Sequence, residues 1–249
     1  MDYKDYLAQQ KNETDHFWYV ARKGLIRRLL DSHYRGTIAD RVILDIGCGT
    51  GTELPVLAGF GKVVGLDNNA EALKLVAEKG FEPLLGDLRF DDLGDNLYDA
   101  VCLFDVLEHL PEDEDALAKI FRSLKPGGSL FFTVPAFNAI FSQHDRAMGH
   151  FRRYEKGRID DLLRRAGFRK IDTGYWNFWL FLPVAAMRLV KKLFNKNKRA
   201  DELGTEASNL PKPLNALLLA ILDSEKYLFG RVRLPFGLTI YGAAEKYES

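Results

Sequence analysis

The stretch from Val42 to Gly51 constrains the fold of this chain most strongly. It is a short apolar run that contains Asp45 and leads into three glycines at alternating positions, Gly47, Gly49 and Gly51. Glycines at this spacing let the backbone approach a ligand because no Cβ is in the way, and a helix that follows offers free N–H groups at its start. The run therefore predicts a β-strand that enters a tight nucleotide-binding turn.

A second apolar run ends in Asp67, the next feature that identifies a ligand. An acid at the tip of the second strand of an α/β unit can accept hydrogen bonds from both ribose hydroxyls. An adenosine-containing ligand is therefore expected. The dinucleotide fingerprint would need a glycine at the position of Thr52, and no phosphate-loop motif occurs, so neither a dinucleotide nor a nucleoside triphosphate is favoured.

The segment from Asp45 to Gly51 resembles the glycine loop of class I S-adenosylmethionine (SAM) dependent methyltransferases. Four later segments match that family in order: Asp67, 86–88, 98–105 and 124–128. A lone glycine-rich turn would be weaker, because such turns also simply end strands. The resemblance implies SAM as cofactor, S-adenosylhomocysteine as product, and these cofactor-binding residues: Asp45, Gly47, Cys48, Gly49, Gly51, Asp67, Asn68, Asp87, Leu88 and Phe104.

Alternation of strand and helix patterns from residue 41 onward predicts an α/β fold with a doubly wound parallel sheet. Strands are expected near 42–46, 62–67, 81–85, 99–104 and 129–134, with helices near 52–59, 69–79, 112–124 and 156–166. A sixth strand begins after Gly167 and Phe168, and 238–244 is the seventh. The resemblance implies a Rossmann-like seven-stranded sheet whose last strand is antiparallel beside the fifth. The predicted core is 41–177 and 238–249.

Composition agrees with a globular chain but conceals a charge asymmetry. Residues 1–143 carry 15 Lys and Arg against 23 Asp and Glu, a net charge of −8, and residues 144–249 carry 20 against 12, or +8. The C-terminal part is thus the better face for an anionic partner, unless its charges only solvate helices.

Cys48 and Cys102 have no disulfide or zinc spacing, and the N-terminal residues lack the apolar run of a signal peptide. A cytoplasmic protein is expected.

The segment upstream of the sheet, residues 1–40, is predicted to form a helical lid. A helix pattern over 14–35 opens with Thr14 as a plausible N-cap and carries several aromatic residues. Arg22 could hold the methionyl carboxylate of SAM by a forked hydrogen-bonded pair. Alternatively, Phe17 and Trp18 pack on the sheet edge and Arg22 is solvated.

The chemistry of SAM limits what the site must contain. The sulfonium already activates the methyl group, so transfer needs alignment and exclusion of water, and no metal is expected. A base matters if the acceptor is a hydroxyl or a protonated amine. His109, then Glu108, are candidates because they follow the fourth strand at the ligand-binding edge of the sheet. Either residue could instead bond only backbone at a helix start.

A polar segment follows the fifth strand, from His144 to Tyr154. Its arginines suit an acceptor that bears phosphate or carboxylate. The residues predicted to bind the acceptor are Arg152, Arg153 and Tyr154. His144 or His150 could serve as base in place of His109. Alternatively, salt bridges to the acidic N-terminal half pin this loop.

About sixty residues separate the sixth and seventh strands where a few would suffice, and 178–237 is predicted to be a helical hairpin insertion. The apolar part, 178–187, is too short to span a bilayer. With the basic residues that follow it (Lys191, Lys192, Lys196, Lys198 and Arg199), it fits a segment resting on anionic lipid. After a linker at 201–212, a second helix has an apolar stripe of Leu214, Leu217, Leu218, Ile221 and Leu228. The stripe could instead pack on the catalytic domain or form a dimer contact.

The sequence thus favours a SAM-dependent methyltransferase that acts on an oxygen of a glycan-, lipid- or quinone-type molecule, with peripheral contact at the inner membrane face. A looser resemblance to bacterial glycan- and lipid-modifying enzymes supports that class of acceptor. The alternatives are a small soluble carboxylate as acceptor, a non-catalytic SAM-binding regulatory or assembly protein, and a nicotinamide oxidoreductase. Nucleic acid lacks support as substrate, because the motif of base amino methylation is missing.

Overall fold

A computed structural model describes residues 13–34, 40–194 and 210–247 of the chain. Its strands lie close to the predicted positions, and the predicted α/β fold class is confirmed. They are β1 (Val42–Ile46), β2 (Lys62–Asp67), β3 (Glu82–Leu85), β4 (Tyr98–Phe104), β5 (Leu124–Pro135), β6 (Arg169–Trp176) and β7 (Thr239–Glu245).

The seven strands form a single sheet in the order β3-β2-β1-β4-β5-β7-β6. Strands β1 to β5 are parallel, and β7 is antiparallel to both β5 and β6, as expected. The strand order reverses between β1 and β4, which opens a crevice at the carboxyl ends of the strands. The register places the ends of β1, β2 and β4 at one edge of the sheet.

Helices cover both faces of the sheet. They are α1 (Phe17–Tyr34), α2 (Leu54–Leu57), α3 (Ala70–Glu78), α4 (Asp113–Ser123), α5 (Gln143–Ala147), α6 (Lys156–Arg165), α7 (Phe181–Phe194) and α8 (Lys212–Ser224). Neighbouring strand residues point to opposite faces, so Phe131 belongs to the apolar cluster on one side and Phe132 to that on the other. Helix α2 is one turn long, shorter than predicted.

The start of α1 differs from the prediction that Thr14 is its N-cap. Residues 13–15 form a separate helical turn, the helical conformation is interrupted at His16, and α1 begins at Phe17. The amide of Asn215 in α8 fills the capping role: its Oδ1 accepts from the Phe17 N–H at 2.8 Å and its Nδ2 donates to the Asp15 carbonyl at 2.9 Å. His16 Nδ1 also accepts the Trp18 N–H at 3.3 Å, so the helix start is capped both locally and from a distant part of the chain.

The insertion contains the two predicted helices, but they do not pack along each other as a hairpin. Helix α8 packs on α1, and α7 packs on the short 3-10 helix Asn138–Ile140. Buried Glu225 fixes the start of the insertion, because its carboxylate accepts the backbone N–H groups of Asn177, Phe178 and Trp179. The two helices therefore flank a groove between them.

Burial corrects the predicted stripe of α8. Leu222 is buried against Ala21 and Leu25 of α1, whereas Leu214 and Leu217 are exposed. Among the described residues, no helix combines the length and the apolar character that crossing a membrane requires. The basic residues Lys196, Lys198 and Arg199 and most of the predicted linker lie outside the described residues.

Candidate functional site

The glycine turn after β1 leaves space for a ligand. Gly47, Gly49 and Gly51 all have positive φ, at 70°, 53° and 77°. A Cβ on Gly47 would lie 2.5 Å from a methyl carbon of Val106, while a Cβ on Gly49 would meet nothing within 4 Å. A side chain at position 47 would clash with Val106, which requires glycine there. At position 49 the positive φ favours glycine, and the space beside Gly49 is open.

Asp67 ends β2 beside this turn. Its carboxylate accepts the Gly49 N–H at 2.8 Å and the Asn69 N–H at 2.9 Å, which fixes its orientation toward the turn. Burial raises its pKa above the ordinary range. A carboxylate held by backbone donors at the strand tip is the arrangement that the ribose assignment requires.

The segment predicted to bind adenine follows β3. Asp87 accepts hydrogen bonds from Arg89 and, at 3.3 Å, from Asn68 Nδ2. The hydrogen bonds from Arg89 lower the pKa of Asp87 to about 2. Leu88 is buried in the core. Asp87 and Asn68 thus lie together near the tips of β2 and β3, and their contact with adenine stays a prediction.

Arg22 of α1 is largely buried, with 11% of its side chain exposed, and makes two ion pairs. It donates to Glu53 after the glycine turn and, at 2.7 Å, to Asp105 after β4. Its guanidinium carbon lies 4.6 Å from the centre of the Trp18 ring. The two acids raise the pKa of Arg22 although burial alone would lower it. The alternative that Arg22 is solvated is therefore wrong, and its Nε is buried with no hydrogen-bond partner.

Several acids surround this arginine. Asp45 is 2% exposed, and burial raises its pKa well above the ordinary range. Glu53 is also buried, and Asp105 adopts a left-handed backbone conformation, with φ 55°. SAM carries a cationic sulfonium, an ammonium and one carboxylate. Acidic side chains grouped around an arginine, beside the open space at Gly49, therefore suit this combination of charges.

The N-terminal segment contacts the glycine turn directly. The hydroxyls of Thr50 and Thr52 both donate to the Glu13 carboxylate, the first at 2.5 Å. Lys23 of α1 donates to the Glu13 carbonyl at 3.4 Å. The described part of the predicted lid thus covers the turn from one side. Cys48 and Phe104 are buried beneath it in the same apolar cluster.

Three predicted catalytic residues meet beyond Asp105. Glu108 and His109 belong to the 3-10 turn Leu107–His109, and His150 lies in the loop after α5. One ligand atom of each side chain lies within 4.8 Å of the others, and the two imidazole rings are 4.6 Å apart. Burial and the neighbouring His150 lower the pKa of His109, which keeps its imidazole neutral at neutral pH.

The fourth candidate base, His144, lies in α5 and is not one of these three side chains. Buried Asp145 follows it in that helix. Its carboxylate accepts from Arg153 at 2.6 Å and from Arg188 of α7 at 2.9 Å, and lies 3.4 Å from His150 Nδ1. The insertion is thus tied to the loop that carries His150.

The predicted acceptor-binding residues have protein partners instead. Arg153 is 6% exposed and also donates to the Ala136 carbonyl, and Tyr154 is fully buried with its hydroxyl against Asp113. Burial argues against a contact of either with an acceptor. Arg152 pairs with Asp113 at 2.7 Å. For Arg152 the alternative prediction therefore holds, namely that salt bridges to the acidic N-terminal half hold this loop in place.

Sequence reasoning missed Glu13, Glu53 and Asp145 as members of the site. Glu53 directly follows the glycine turn, and an acid at that place is a signal that could have been used. The partners of Glu13 and Asp145 lie on other elements of the fold. A single sequence gives no periodic signal for such pairs.

Comparison with known proteins agrees with this geometry. Residues 44–132 match a family model described as a methyltransferase domain. The chain is 34% identical over 125 residues to a mitochondrial ubiquinone biosynthesis O-methyltransferase of Mus musculus, a match that covers 45% of this chain and 34% of the relative. It is 28% identical over 176 residues to a demethylmenaquinone methyltransferase of Lactiplantibacillus plantarum, covering 55% of this chain and 73% of the relative.

The fold agrees as well. The crystal structure of a SAM-dependent methyltransferase from Archaeoglobus fulgidus superposes with a TM-score of 0.55 at 18% identity, covering 90% of this chain and 94% of that chain. At this identity the likeness concerns the fold alone. The chain spans only about a third of the mouse relative, so that protein's full activity is not carried over with the match.

Proposed function

We propose that this chain, which carries a class I SAM-dependent methyltransferase domain, transfers the methyl group of SAM to an oxygen of a quinone-type, lipid-like acceptor. The observation that carries the proposal is the continuity of the site along one segment after β4. Asp105 pairs with Arg22 near the glycine turn, and Glu108 and His109 follow Asp105 within four residues.

Residues of this chain hold the cofactor at the glycine turn. Asp67 would accept hydrogen bonds from the ribose hydroxyls, and Arg22 would pair with the methionyl carboxylate. When bound, SAM supplies a methyl group already activated by its sulfonium. Glu53 and Asp105 contribute a negative potential that favours the cationic cofactor over its uncharged-sulfur product.

His109 is the proposed base for the acceptor hydroxyl. Its lowered pKa keeps the ring unprotonated, so a ring nitrogen can take up the proton as the oxygen attacks the methyl carbon. Glu108 and His150 lie beside it, and Glu108 is the second candidate. The part of the lid over residues 13–34 would exclude water from the reacting atoms.

An apolar groove supports a lipid-like acceptor. It has a volume of about 620 Å³ and is lined by Trp179, Leu180, Pro183, Ala220, Ile221 and Ser224. Pro183 is five residues before Arg188, which corresponds to about 7.5 Å along α7. Arg188 pairs with Asp145, which neighbours His150. A hydroxylated ring near His109 could therefore extend an apolar tail toward the groove.

The relatives and the surface around the groove support the same class of acceptor. One relative is named for ubiquinone biosynthesis and another for demethylmenaquinone. Trp179, just before α7, and Leu182, in its first turn, are each exposed over at least half of their surface. We propose that this surface contacts a membrane peripherally, so that a tailed acceptor can enter the groove.

Methyl transfer to defined acceptors tests the proposal. The chain is incubated with methyl-labelled SAM and either catechol or a catechol that bears a long alkyl chain. We expect transfer to an oxygen of both, with a KM about tenfold or more lower for the tailed compound. Equal KM values for catechol and the tailed catechol would contradict the proposal that the groove binds the alkyl chain. Binding of SAM without transfer to either compound would contradict O-methylation of such acceptors.

A further inference from the structure

The cluster of Glu108, His109 and His150 has an unusual combination of burial and missing partners. Glu108 is 1% exposed, and neither of its carboxylate oxygens has a hydrogen-bond partner. His150 Nε2 lies 3.9 Å from Glu108 Oε1, too far for a hydrogen bond. A buried carboxylate without a hydrogen-bond partner is costly, so a bound group that pairs with it would stabilise this arrangement.

The geometry points to a divalent transition-metal ion, and we propose that Glu108, His109 and His150 bind one of the Zn²⁺ class. Each residue offers one ligand atom, and these atoms all lie within 4.8 Å of one another. Two imidazoles and one carboxylate suit zinc and its neighbours, whereas magnesium and calcium prefer oxygen ligands. This revises the sequence-based expectation that no metal is present.

The three side chains need only a small movement to close on an ion. Ligand atoms around Zn²⁺ bonded at about 2.0 to 2.1 Å lie about 3.4 Å apart, so separations of at most 4.8 Å would shorten by up to about 1.4 Å. His109 and His150 lie at the cluster with rings nearly perpendicular, at 87°. Turning of these two rings about their side-chain bonds can provide that contraction.

The surroundings of His150 are those of a metal-binding histidine. Asp145 Oδ1 lies 3.4 Å from its Nδ1, and Arg153 and Arg188 hold this carboxylate in place. A carboxylate that accepts from one ring nitrogen orients the ring and leaves the other nitrogen to the ion. In this geometry His150 Nδ1 lies close to Asp145 but makes no hydrogen bond. Here the other nitrogen, Nε2, is the one that approaches Glu108.

Three protein ligands would leave a position open for another oxygen. On the proposed function, this position is where the acceptor hydroxyl would bind. An ion there would lower the pKa of that hydroxyl, so that its proton passes to solvent and the bound oxygen attacks as an alkoxide or phenolate. In the metal-loaded chain His109 is a ligand, so the ion replaces it as the group that activates the hydroxyl, and His109 acts as the base only where no ion is bound. This last step rests on the proposed function, but the binding of the ion does not.

Metal titration of the purified chain tests the site. After treatment with a chelator, the chain is titrated with Zn²⁺ by calorimetry and with Co²⁺ by its visible absorption. We expect one ion per chain with a Kd in the micromolar range or below, and a loss of affinity of 100-fold or more in Glu108→Gln and His109→Ala. His144→Ala, a nearby histidine outside the cluster, should bind as wild type does.

Absence of stoichiometric binding, or binding that survives both cluster variants, would overturn the site. His109 is partly exposed, so its variant is expected to fold even if Glu108→Gln does not. SAM binding to the metal-free chain separates the two proposals. Metal-loaded chain that binds SAM but transfers no methyl to a tailed catechol would contradict the proposed function, whereas full transfer by the metal-free chain would overturn the role of the ion.

Discussion

Arg22 Nη1 lies 2.7 Å from Asp105 Oδ2, which joins a helix upstream of the sheet to the carboxyl end of its fourth strand. The same guanidinium donates to Glu53, just after the glycine turn. One side chain thus connects the N-terminal helix, the cofactor turn and the segment that leads to Glu108. Because that guanidinium lies beside the glycine turn and contacts two acids there, we propose it as the group to which the cofactor carboxylate would bind.

Replacement of Arg22 by Gln is expected to weaken SAM binding by about 10- to 100-fold, since a charge-assisted hydrogen bond contributes about 1.5 to 3 kcal/mol. Calorimetry measures the effect. Arg27→Gln is the matched control, because Arg27 lies in the same helix but pairs with Asp31 at an exposed position. Equal affinity of both variants for SAM would assign Arg22 to structure alone.

Asp67→Ala is expected to lower SAM affinity by about 10- to 100-fold through loss of the ribose hydrogen bonds. The variant also loses the acceptor of the Gly49 N–H, so its fold is checked by circular dichroism. Asp161→Ala, at an exposed position of α6, serves as control. A folded Asp67 variant with unchanged affinity for SAM would contradict the prediction that Asp67 binds the ribose.

His109→Ala is expected to slow methyl transfer by about 100-fold or more while SAM affinity stays the same. Initial rates at saturating SAM measure the effect. His144→Ala is the comparison, because His144 was an alternative base that the fold keeps outside the cluster. Undiminished turnover in His109→Ala together with a slow His144 variant would move the role to His144.

Asp145→Ala is expected to lower the free energy of unfolding by about 3 to 5 kcal/mol, since it leaves Arg153 buried without its partner. Urea denaturation measures this value. Asp161 pairs with Arg164 at 2.7 Å, but both side chains are more than half exposed. Asp161→Ala should therefore cost about 1 kcal/mol or less. Similar losses in the two variants would contradict the buried ion network.

Filling the groove tests the tail site separately. Ala220 is exposed on α8 and lines the groove, so Ala220→Trp should occupy part of its volume with little strain. We expect the KM for a tailed catechol to rise about tenfold and the KM for catechol itself to stay constant. A parallel rise for both compounds would indicate a general distortion of the site.

The sequence predicted the sheet and its cofactor edge well, for a physical reason. Strands and their glycine turn depend on local patterns of apolar residues and on residues that tolerate positive φ, and these patterns lie within short stretches such as 42–51. The position of Asp67 at a strand tip follows from the same local order, and its contact with the ribose stays a prediction. These local patterns do not give the direction of the seventh strand. Its antiparallel direction was predicted only from the family resemblance.

The rest depends on contacts between distant segments. Arg153 was predicted to bind an anionic acceptor, but its burial against Asp145 depends on packing of α5 and β5 that no local pattern reveals. The cap of α1 by Asn215 joins residues 198 positions apart. Likewise, His150 meets Glu108 and His109 only because the loop after α5 folds back to the end of β4.

Transfer of labelled methyl from SAM into an extract of the source cells, partitioned between organic and aqueous phases, tests the central claim most directly. A methyltransferase that acts on lipid-like oxygen acceptors should place label in the organic phase, and alkaline treatment should leave an ether-linked label in place. Label confined to the aqueous phase would contradict the lipid-like acceptor. No label in either phase, from a chain that still binds SAM, would contradict methyl transfer itself.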